Sequence, residues 1–273
     1  MSATPLAEEL ASTIAIAEEA GRIVFAGYRN APHVEKKGAI DLVTEFDLRS
    51  EEHIRARLAE HFASDAVVAE EGDADRAHEH QSGRVWYVDP LDGTTNYAHG
   101  HPFFCVSMAL WEGDSGRLGV VHAPALGVTW AAARGQGATR NGAPCHVSKT
   151  TQLLEALCAT GFPYDRATRR GDDNLGEYTA FLRRSQGVRR CGAAALDLSL
   201  IADGTYEIYW EKHLSAWDMC AGAVLVQEAG GTLSSFAGEP ADPRSGELLA
   251  SNGALHGAAL ELLRELREAR DAG

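Results

Sequence analysis

Between residues 66 and 148 the chain is a succession of short apolar runs: AVVAEE, RVWYVDP, CVSMALWEG, RLGVVHAP, GVTWAAARG and APCHVS. Gly, Pro and Asn-Gly turn signals separate them, which predicts a meander of strands, largely antiparallel. A sheet must bury one face at least, and the flanking segments supply the cover. Leu6, Leu10, Ile14, Ala17, Val24 and Tyr28 recur at helical spacing, predicting a long amphipathic N-terminal helix. A second helix is predicted from about Thr44 to Phe62, with Leu48, Ile54 and Leu58 on one face. Thr44 suits its N-cap, and Asp47 suits the weak capping-box position three residues on. The intervening HVEKKGAIDLV reads as a hairpin or mobile loop.

From Thr151 onward strands and helices alternate. Strands are expected at LEALCAT, GVRRC, GTYEIYWE, TLSSF and ELLASN. Helices are expected near Asp173–Ser185, Ala194–Ala202, Ala216–Glu228 and His256–Arg270. No repeat, low-complexity tract or Pro/Ser linker interrupts the chain. The expectation is one α/β domain over residues 1–273, with sheet-based halves at about 1–150 and 151–273.

Charge narrows the function classes. A net charge of −14 and a pI near 5.2 disfavour nucleic acid or an anionic membrane as partner. An anionic substrate would need a metal ion or a local basic patch. Cys105, Cys145, Cys158, Cys191 and Cys220 are widely spaced and odd in number, which suits a reducing compartment and no zinc site. MSATPLAEEL has neither a basic nor a long apolar stretch, and no run approaches a membrane span, so the expectation is a cytoplasmic, soluble protein. The histidines form no HxxxH or HExxH pattern; His213 is notable only for standing close to Glu211.

The stretch WYVDPLDGTTN, Trp86 to Asn96, carries the chemistry. Two aspartates three residues apart end an apolar run, and no Lys or Arg lies between Arg84 and Arg117 to pair with them. Carboxylates buried there need either water or a cation. Pro90 disfavours helix, so Asp89 is expected at a strand end with a rigid turn after it. Gly93-Thr94-Thr95-Asn96 then reads as a turn into a helix N-terminus, whose N–H groups suit a phosphate. Glu70 and Glu71 end the preceding run, and strands ending at one edge would bring Glu70 towards Asp89 and Asp92. Asp218 is predicted in the first turn of a later helix, where Trp217, Ala221, Gly222 and Ala223 pack tightly. Hard oxygen donors beside an anion cradle are what Mg²⁺ requires. Taken singly, each feature has an ordinary explanation as a cap, a turn or a solvated end. The spacing Asp-x-x-Asp does not fit the Asp-x-Asp nucleophile of aspartyl-phosphate phosphatases, and no GxxxxGK[ST] loop is present.

DPLDGTTN at Asp89–Asn96 and WDMCAGAVLVQEAGG at Trp217–Gly231 resemble the two signature motifs of the inositol monophosphatase family. AEEG around Glu70 and DLVTEFD at Asp41–Asp47 resemble its flanking motifs, in the same order, and the similarity runs from about residue 6 to 268. The resemblance implies an αβαβα sandwich of the inositol monophosphatase/fructose-1,6-bisphosphatase type, usually homodimeric. It also implies Mg²⁺-dependent, lithium-sensitive hydrolysis of a phosphate monoester, with two or three Mg²⁺ per site. By the same resemblance Glu70, Asp89 and the carbonyl of Leu91 would hold one ion, and Asp89, Asp92 and Asp218 a second. Glu70, Thr94 and Asp47 would be the catalytic residues, Thr94 with Asp47 behind it orienting the attacking water. Lys36 or Lys37 would support a weaker third metal or the phosphate.

The expected substrate contacts are Asp92, Gly93, Thr94, Gly192, Ala193, Ala194, Glu211 and Asp218. Glu211, seven residues before Asp218, occupies the position where a carboxylate reads ring hydroxyls. Many members carry Ser or Thr where this chain has Ala193, which removes one hydroxyl contact. Cys220 replaces a usual Ala and reads as core packing. Gly93-Thr94-Thr95 departs from the GTK or GTR of nucleotide-directed relatives. Inositol 1-phosphate is therefore the first expectation, with histidinol phosphate or another sugar phosphate, fructose 1,6-bisphosphate included, as the alternative. A metal-binding, non-catalytic regulatory homologue is the alternative outside the enzymes. The Arg166, Arg169, Arg170 cluster reads as a solvated loop.

Overall fold

The computed structural model describes residues 6–30, 34–36, 42–72, 83–165, 168 and 172–271. The N-terminal helix α1 (Leu6–Gly27) is followed by the short antiparallel pair β1 (Val34–Lys36) and β2 (Leu42–Thr44), so the two ends of HVEKKGAIDLV do pair as a hairpin. Helix α2 (Glu45–His61) starts at Thr44 with the expected capping box: the Asp47 carboxylate accepts the Thr44 N–H at 2.9 Å. One face assignment fails. Ile54 and Leu58 are buried, but Leu48 is 54% exposed, because its neighbour Asp47 takes the inward direction at the helix start.

The apolar runs form a seven-stranded sheet of β3 (Ala66–Ala69), β4 (Arg84–Asp92), β5 (Cys105–Glu112), β6 (Ser115–Ala123), β7 (Val128–Ala133), β8 (Ala138–Arg140) and β9 (Ala143–Cys145), in that order. The one-turn helix α3 (Thr94–Ala98) follows β4. Strands β4 to β9 are antiparallel, as expected, and β3 joins β4 in parallel. The second sheet contains β10 (Leu157–Thr160), β11 (Gly187–Arg189), β12 (Ile208–Lys212), β13 (Thr232–Ser234) and β14 (Glu247–Ser251), ordered β11-β10-β12-β14-β13. Its helices are α4 (Leu175–Arg184), α5 (Ala194–Ala202), α6 (Ala216–Glu228) and α7 (His256–Asp271).

Three apolar clusters set the layers. Ile16, Ala20 and Val24 of α1 and Ile54 and Leu58 of α2 pack on Trp86, Val88 and Val106, covering the outer face of the large sheet. Leu196 and Leu198 of α5 and Met219, Val224 and Leu225 of α6 fill the space between the sheets, against Tyr87, Trp130 and Tyr209. Phe181 of α4 and Leu262 of α7 pack on Ile208 and Trp210, with the Phe181 and Trp210 rings stacked 3.9 Å apart. The order is helices, seven-stranded sheet, helices, five-stranded sheet, helices: the expected αβαβα sandwich.

The middle layer is closely packed. A side chain at Gly222 of α6 would overlap Leu198 of α5, and one at Gly119 of β6 would lie 2.5 Å from the Ala221 carbonyl oxygen. Cys220 is buried here, and all five thiols are free. Replacing an exposed helical Gly by Ala ordinarily adds up to about 1 kcal/mol of stability. Gly222→Ala is expected to do the reverse and lower stability by about 1–3 kcal/mol through overpacking. Urea unfolding checks it, and a stabilised variant would contradict the packing described.

Candidate active site

The parallel pairing of β3 with β4 sets Ala69 beside Val88, so the next residues, Glu70 and Asp89, emerge together at the sheet's edge. The Glu70 N–H donates to the Val88 carbonyl at 3.3 Å and continues the ladder one step. Asp89 does not end its strand, contrary to expectation. β4 runs on through Pro90 to Asp92, with Asp89 opposite Ser107 and Asp92 opposite Cys105. Three steps on β4 face two on β5, which makes a β-bulge. A bulge tolerates the missing Pro90 N–H and re-aims side chains. It brings Asp89 and Asp92, three residues apart, to line one cleft.

Two helix starts complete the site. The Ser107 hydroxyl, on the strand beside Asp89, donates to the Trp217 carbonyl at 3.2 Å and ties down the start of α6, where Asp218 sits. Helix α5 begins at Ala193, whose side chain cannot cap it. Asp92 Oδ2 supplies the missing acceptor by taking the Ala195 N–H at 2.8 Å, a cap borrowed from a residue a hundred positions earlier.

Each of Asp89, Asp92 and Asp218 has one oxygen held by the main chain. Asp89 Oδ1 accepts the Leu91 N–H at 2.9 Å, and Asp218 Oδ2 accepts the Ser215 N–H at 2.7 Å. The carboxylate planes are thereby fixed, and one oxygen of each is left for a ligand. Asp89 and Asp92 are buried, whereas Asp218 keeps partial contact with solvent through the cleft mouth. Burial, and then the charges of Glu70, Asp92 and Asp218, push the Asp89 carboxyl well above its usual range. Burial likewise raises Asp218, reinforced by Asp92 and Glu70. Asp92 rises to about 7, mainly through burial, with the Ala195 N–H opposing and Glu70 and Glu211 adding to the rise.

The Asp47 carboxylate, fully buried, both caps α2 and reaches the cleft: Thr94 Oγ1 lies 3.0 Å from Asp47 Oδ1 and 3.0 Å from the Leu91 carbonyl oxygen. The single hydroxyl proton can go to either acceptor. Burial lifts Asp47 to about 6, against the opposing hydrogen bonds of Thr44 and Thr94. Gly93, the residue before α3, has φ 93°, a left-handed conformation that favours glycine. A side chain there would come within 2.9 Å of the Phe103 carbonyl oxygen. α3 is only five residues long, so it offers an anion its free first-turn N–H groups more than a macrodipole. Asn96 Nδ2 donates to the carbonyls of Phe103 and Cys191, at 2.7 and 2.8 Å, and joins this turn to the loop carrying Gly192.

All these groups line one cleft of about 350 Å³, together with Gly192, Ala193, Ala194 and Glu211 from the second sheet's side. Asp47 alone among the expected site residues stands behind the wall, reaching the cleft through Thr94. Residues that sequence reasoning did not assign to the site also line it: Gly161, Phe162, Pro163, Tyr164 and Arg190. The GFPY stretch directly after β10 was the available signal, an aromatic pair at a strand's C-terminal end. His213 lines the cleft too, with φ 62° and Nε2 2.7 Å from Asp172. Lys36 ends β1, while Lys37, Asp41, Arg166, Arg169, Arg170, His33, His78 and His80 lie outside the described residues.

The donors fit a hard divalent cation. They are carboxylate oxygens and the Leu91 carbonyl, and their mutual repulsion is what a cation relieves. Among the described residues no three acidic, imidazole or thiol groups close by themselves into a coordination cage. Mg²⁺ needs none, since it retains water and takes up substrate phosphate oxygens.

A layered α/β scaffold carries here an acid-lined cleft, with donors suited to a cation beside free N–H groups suited to an anion. The sequence profile described as the inositol monophosphatase family matches residues 6–269. The chain is 41% identical over 247 residues to the inositol-1-monophosphatase of Synechocystis sp., covering 87% of this chain and 82% of the relative. It is 40% identical over 241 residues to the protein named Nus factor SuhB of Pseudomonas aeruginosa, covering 86% and 88%. The solved inositol monophosphatase of Anabaena (Nostoc) sp. superposes with a TM-score of 0.87 at 35% identity, covering 96% of this chain and 97% of that one. The chain belongs to the inositol monophosphatase family.

Glu211 offers a clean titration test. Burial raises it from 4.5 to about 7, so the folded state holds its proton more tightly than the unfolded chain. Stability from this group is therefore full below about 4.5 and is lost as pH rises towards 7. In chelator, Glu211→Gln is expected to gain on the parent protein by about 1–3 kcal/mol between pH 5 and pH 8. Urea unfolding at both pH values reads the gap, and a gap that stays constant contradicts the burial cost.

Proposed function

We propose that this protein is a Mg²⁺-dependent phosphomonoesterase that converts inositol 1-phosphate to inositol and phosphate. The observation that carries the reading is the convergence of Glu70, Asp89, Asp92 and Asp218 on one cleft with the Thr94–Asp47 pair. Glu70, Asp89 and the Leu91 carbonyl would hold one ion, and Asp89, Asp92 and Asp218 a second, with Asp89 shared between them. Bound there, Mg²⁺ supplies a Lewis acid that acidifies water and neutralises charge on the phosphate and the leaving oxygen.

The chain's own groups do the positioning. N–H groups of Gly93 and Thr94 receive the phosphate, and the fixed Gly93 turn holds them ready before substrate arrives. Thr94 Oγ1 takes a proton from the attacking water as it passes its own to Asp47 Oδ1, 3.0 Å away. With its pKa near 6, Asp47 is ionised at neutral pH and still basic enough to accept that proton. Gly192, Ala193 and Ala194 lie against the polyol, and Glu211 accepts its hydroxyls. The family resemblance supports the further reading of a lithium-sensitive, cytoplasmic homodimer.

The test is phosphate release in Mg²⁺ from inositol 1-phosphate, histidinol phosphate, fructose 1,6-bisphosphate and adenosine 3′,5′-bisphosphate, compared by kcat/KM. A preference for inositol 1-phosphate of about tenfold or more, roughly 1.4 kcal/mol, is expected. Preference for histidinol phosphate would retain the chemistry and replace the substrate. Asp89→Asn is expected to abolish turnover of every ester while circular dichroism stays that of the parent, and residual activity would contradict the bridging role. No turnover by the parent protein would favour the regulatory reading that the relative named a Nus factor suggests.

A further inference from the structure

Beneath the cleft, Glu211 is clasped by groups that take no part in metal binding or proton transfer. It lies on β12, the central strand of its sheet, with Tyr209 two residues before it and therefore on the same face. The Tyr209 phenol, fully buried, donates to Glu211 Oε2 at 2.7 Å. Tyr209 stands opposite Ala159 of β10 and Ala250 of β14, two small side chains that leave room for the ring. The backbone beneath the ring is paired on both sides, which fixes where the hydroxyl points.

The carboxylate is confined from a second direction. Gly161, the residue after β10, has no side chain, and a methyl group there would overlap the Glu211 carboxyl group. Phenol on one side and bare backbone on the other leave the carboxylate one position, 8% exposed and facing the cleft. A buried phenol must find an acceptor. Here that acceptor is a group in the ligand cleft, so the hydrogen bond does more than satisfy the ring. Burial and the Glu211 charge both push the Tyr209 hydroxyl up, so it stays a donor at any pH at which the protein works.

We propose that Tyr209 is a positioning residue for polyol recognition: by holding Glu211 Oε2 it aims Oε1 at a hydroxyl of a bound polyol phosphate. This rests on the reading of Glu211 as the group that accepts polyol hydroxyls. Tyr209 touches neither phosphate nor metal ligands, so its effect falls on discrimination among alcohol groups and not on cleavage of the ester bond.

The experiment compares kcat and KM in Mg²⁺ for inositol 1-phosphate and for p-nitrophenyl phosphate, whose alcohol carries no vicinal hydroxyls. Three variants are measured beside the parent: Tyr209→Phe, Gly161→Ala and Glu211→Gln. Tyr209→Phe is expected to lower the ratio of the two kcat/KM values by about tenfold, the order of one charge-assisted hydrogen bond, with the loss in KM for inositol 1-phosphate. Gly161→Ala displaces the same carboxylate from the opposite side and is expected to give the same signature, which keeps the test decisive if the phenylalanine variant folds poorly. A ratio left at the parent's value by both, while Glu211→Gln lowers it, would overturn the positioning role alone. A ratio left at the parent's value by Glu211→Gln as well would remove the polyol reading on which it rests.

Discussion

Repulsion among buried carboxylates is the interaction on which this structure turns. Burial, and the charges of neighbouring acids with Glu70 among them, raise the protonation tendency of Asp89, Asp92 and Asp218. No lysine or arginine lies between Arg84 and Arg117 in the sequence to pair with Asp89 and Asp92. Such a group of acids costs stability unless something keeps each in place. Main-chain N–H groups hold the four aspartates of the site from four separate places: Thr44 for Asp47, Leu91 for Asp89, Ala195 for Asp92 and Ser215 for Asp218. Three of these bonds also start a helix. Stabilising the scaffold and aiming the acids are one and the same arrangement.

The layered fold follows from the need to bring those helix starts together. Helices α5 and α6 lie between the two sheets, and close packing at Gly222 and Gly119 lets both begin at the edge where β3 and β4 end. The bulge at Pro90 turns the strand's last residues towards them. One wall of the cleft thus comes from the large sheet, the other from the small sheet's loops and β12. The first carries Glu70, Asp89, Asp92 and the Gly93 turn; the second carries Asp218 at the start of α6, Glu211, Gly161 and the loop through Gly192.

Much of this was legible in the sequence, for physical reasons that differ by element. α5 and α6 fall where the pattern placed them, since runs of small residues mark both. The parallel approach of Glu70 to Asp89 followed from two apolar runs ending in acids. The bulge was not legible: Pro90 after an acid reads equally well as a turn, and only the pairing with β5 distinguishes them. Leu48 was placed on the buried face although six residues put it about 120° round the helix from Ile54, and the period sets the buried Asp47 there instead. Gly161, Tyr164 and Arg190 escaped notice because they reach the cleft through tertiary contact and carry no local spacing. Asp92 capping a helix a hundred residues away is of the same kind.

The central claim is that the acid cluster exists to hold a divalent cation, and calorimetric titration of the chelator-treated protein with Mg²⁺ tests it most directly. Run near pH 6.5 in two buffers of different ionisation enthalpy, the titration counts protons as well as sites. Asp92, raised to about 7, is partly protonated there, Asp89 and Asp218 are raised as well, and a cation must displace protons to bind. Saturable binding with net proton release is the expected result. Absence of saturable binding, or binding with no proton exchanged, would contradict the account.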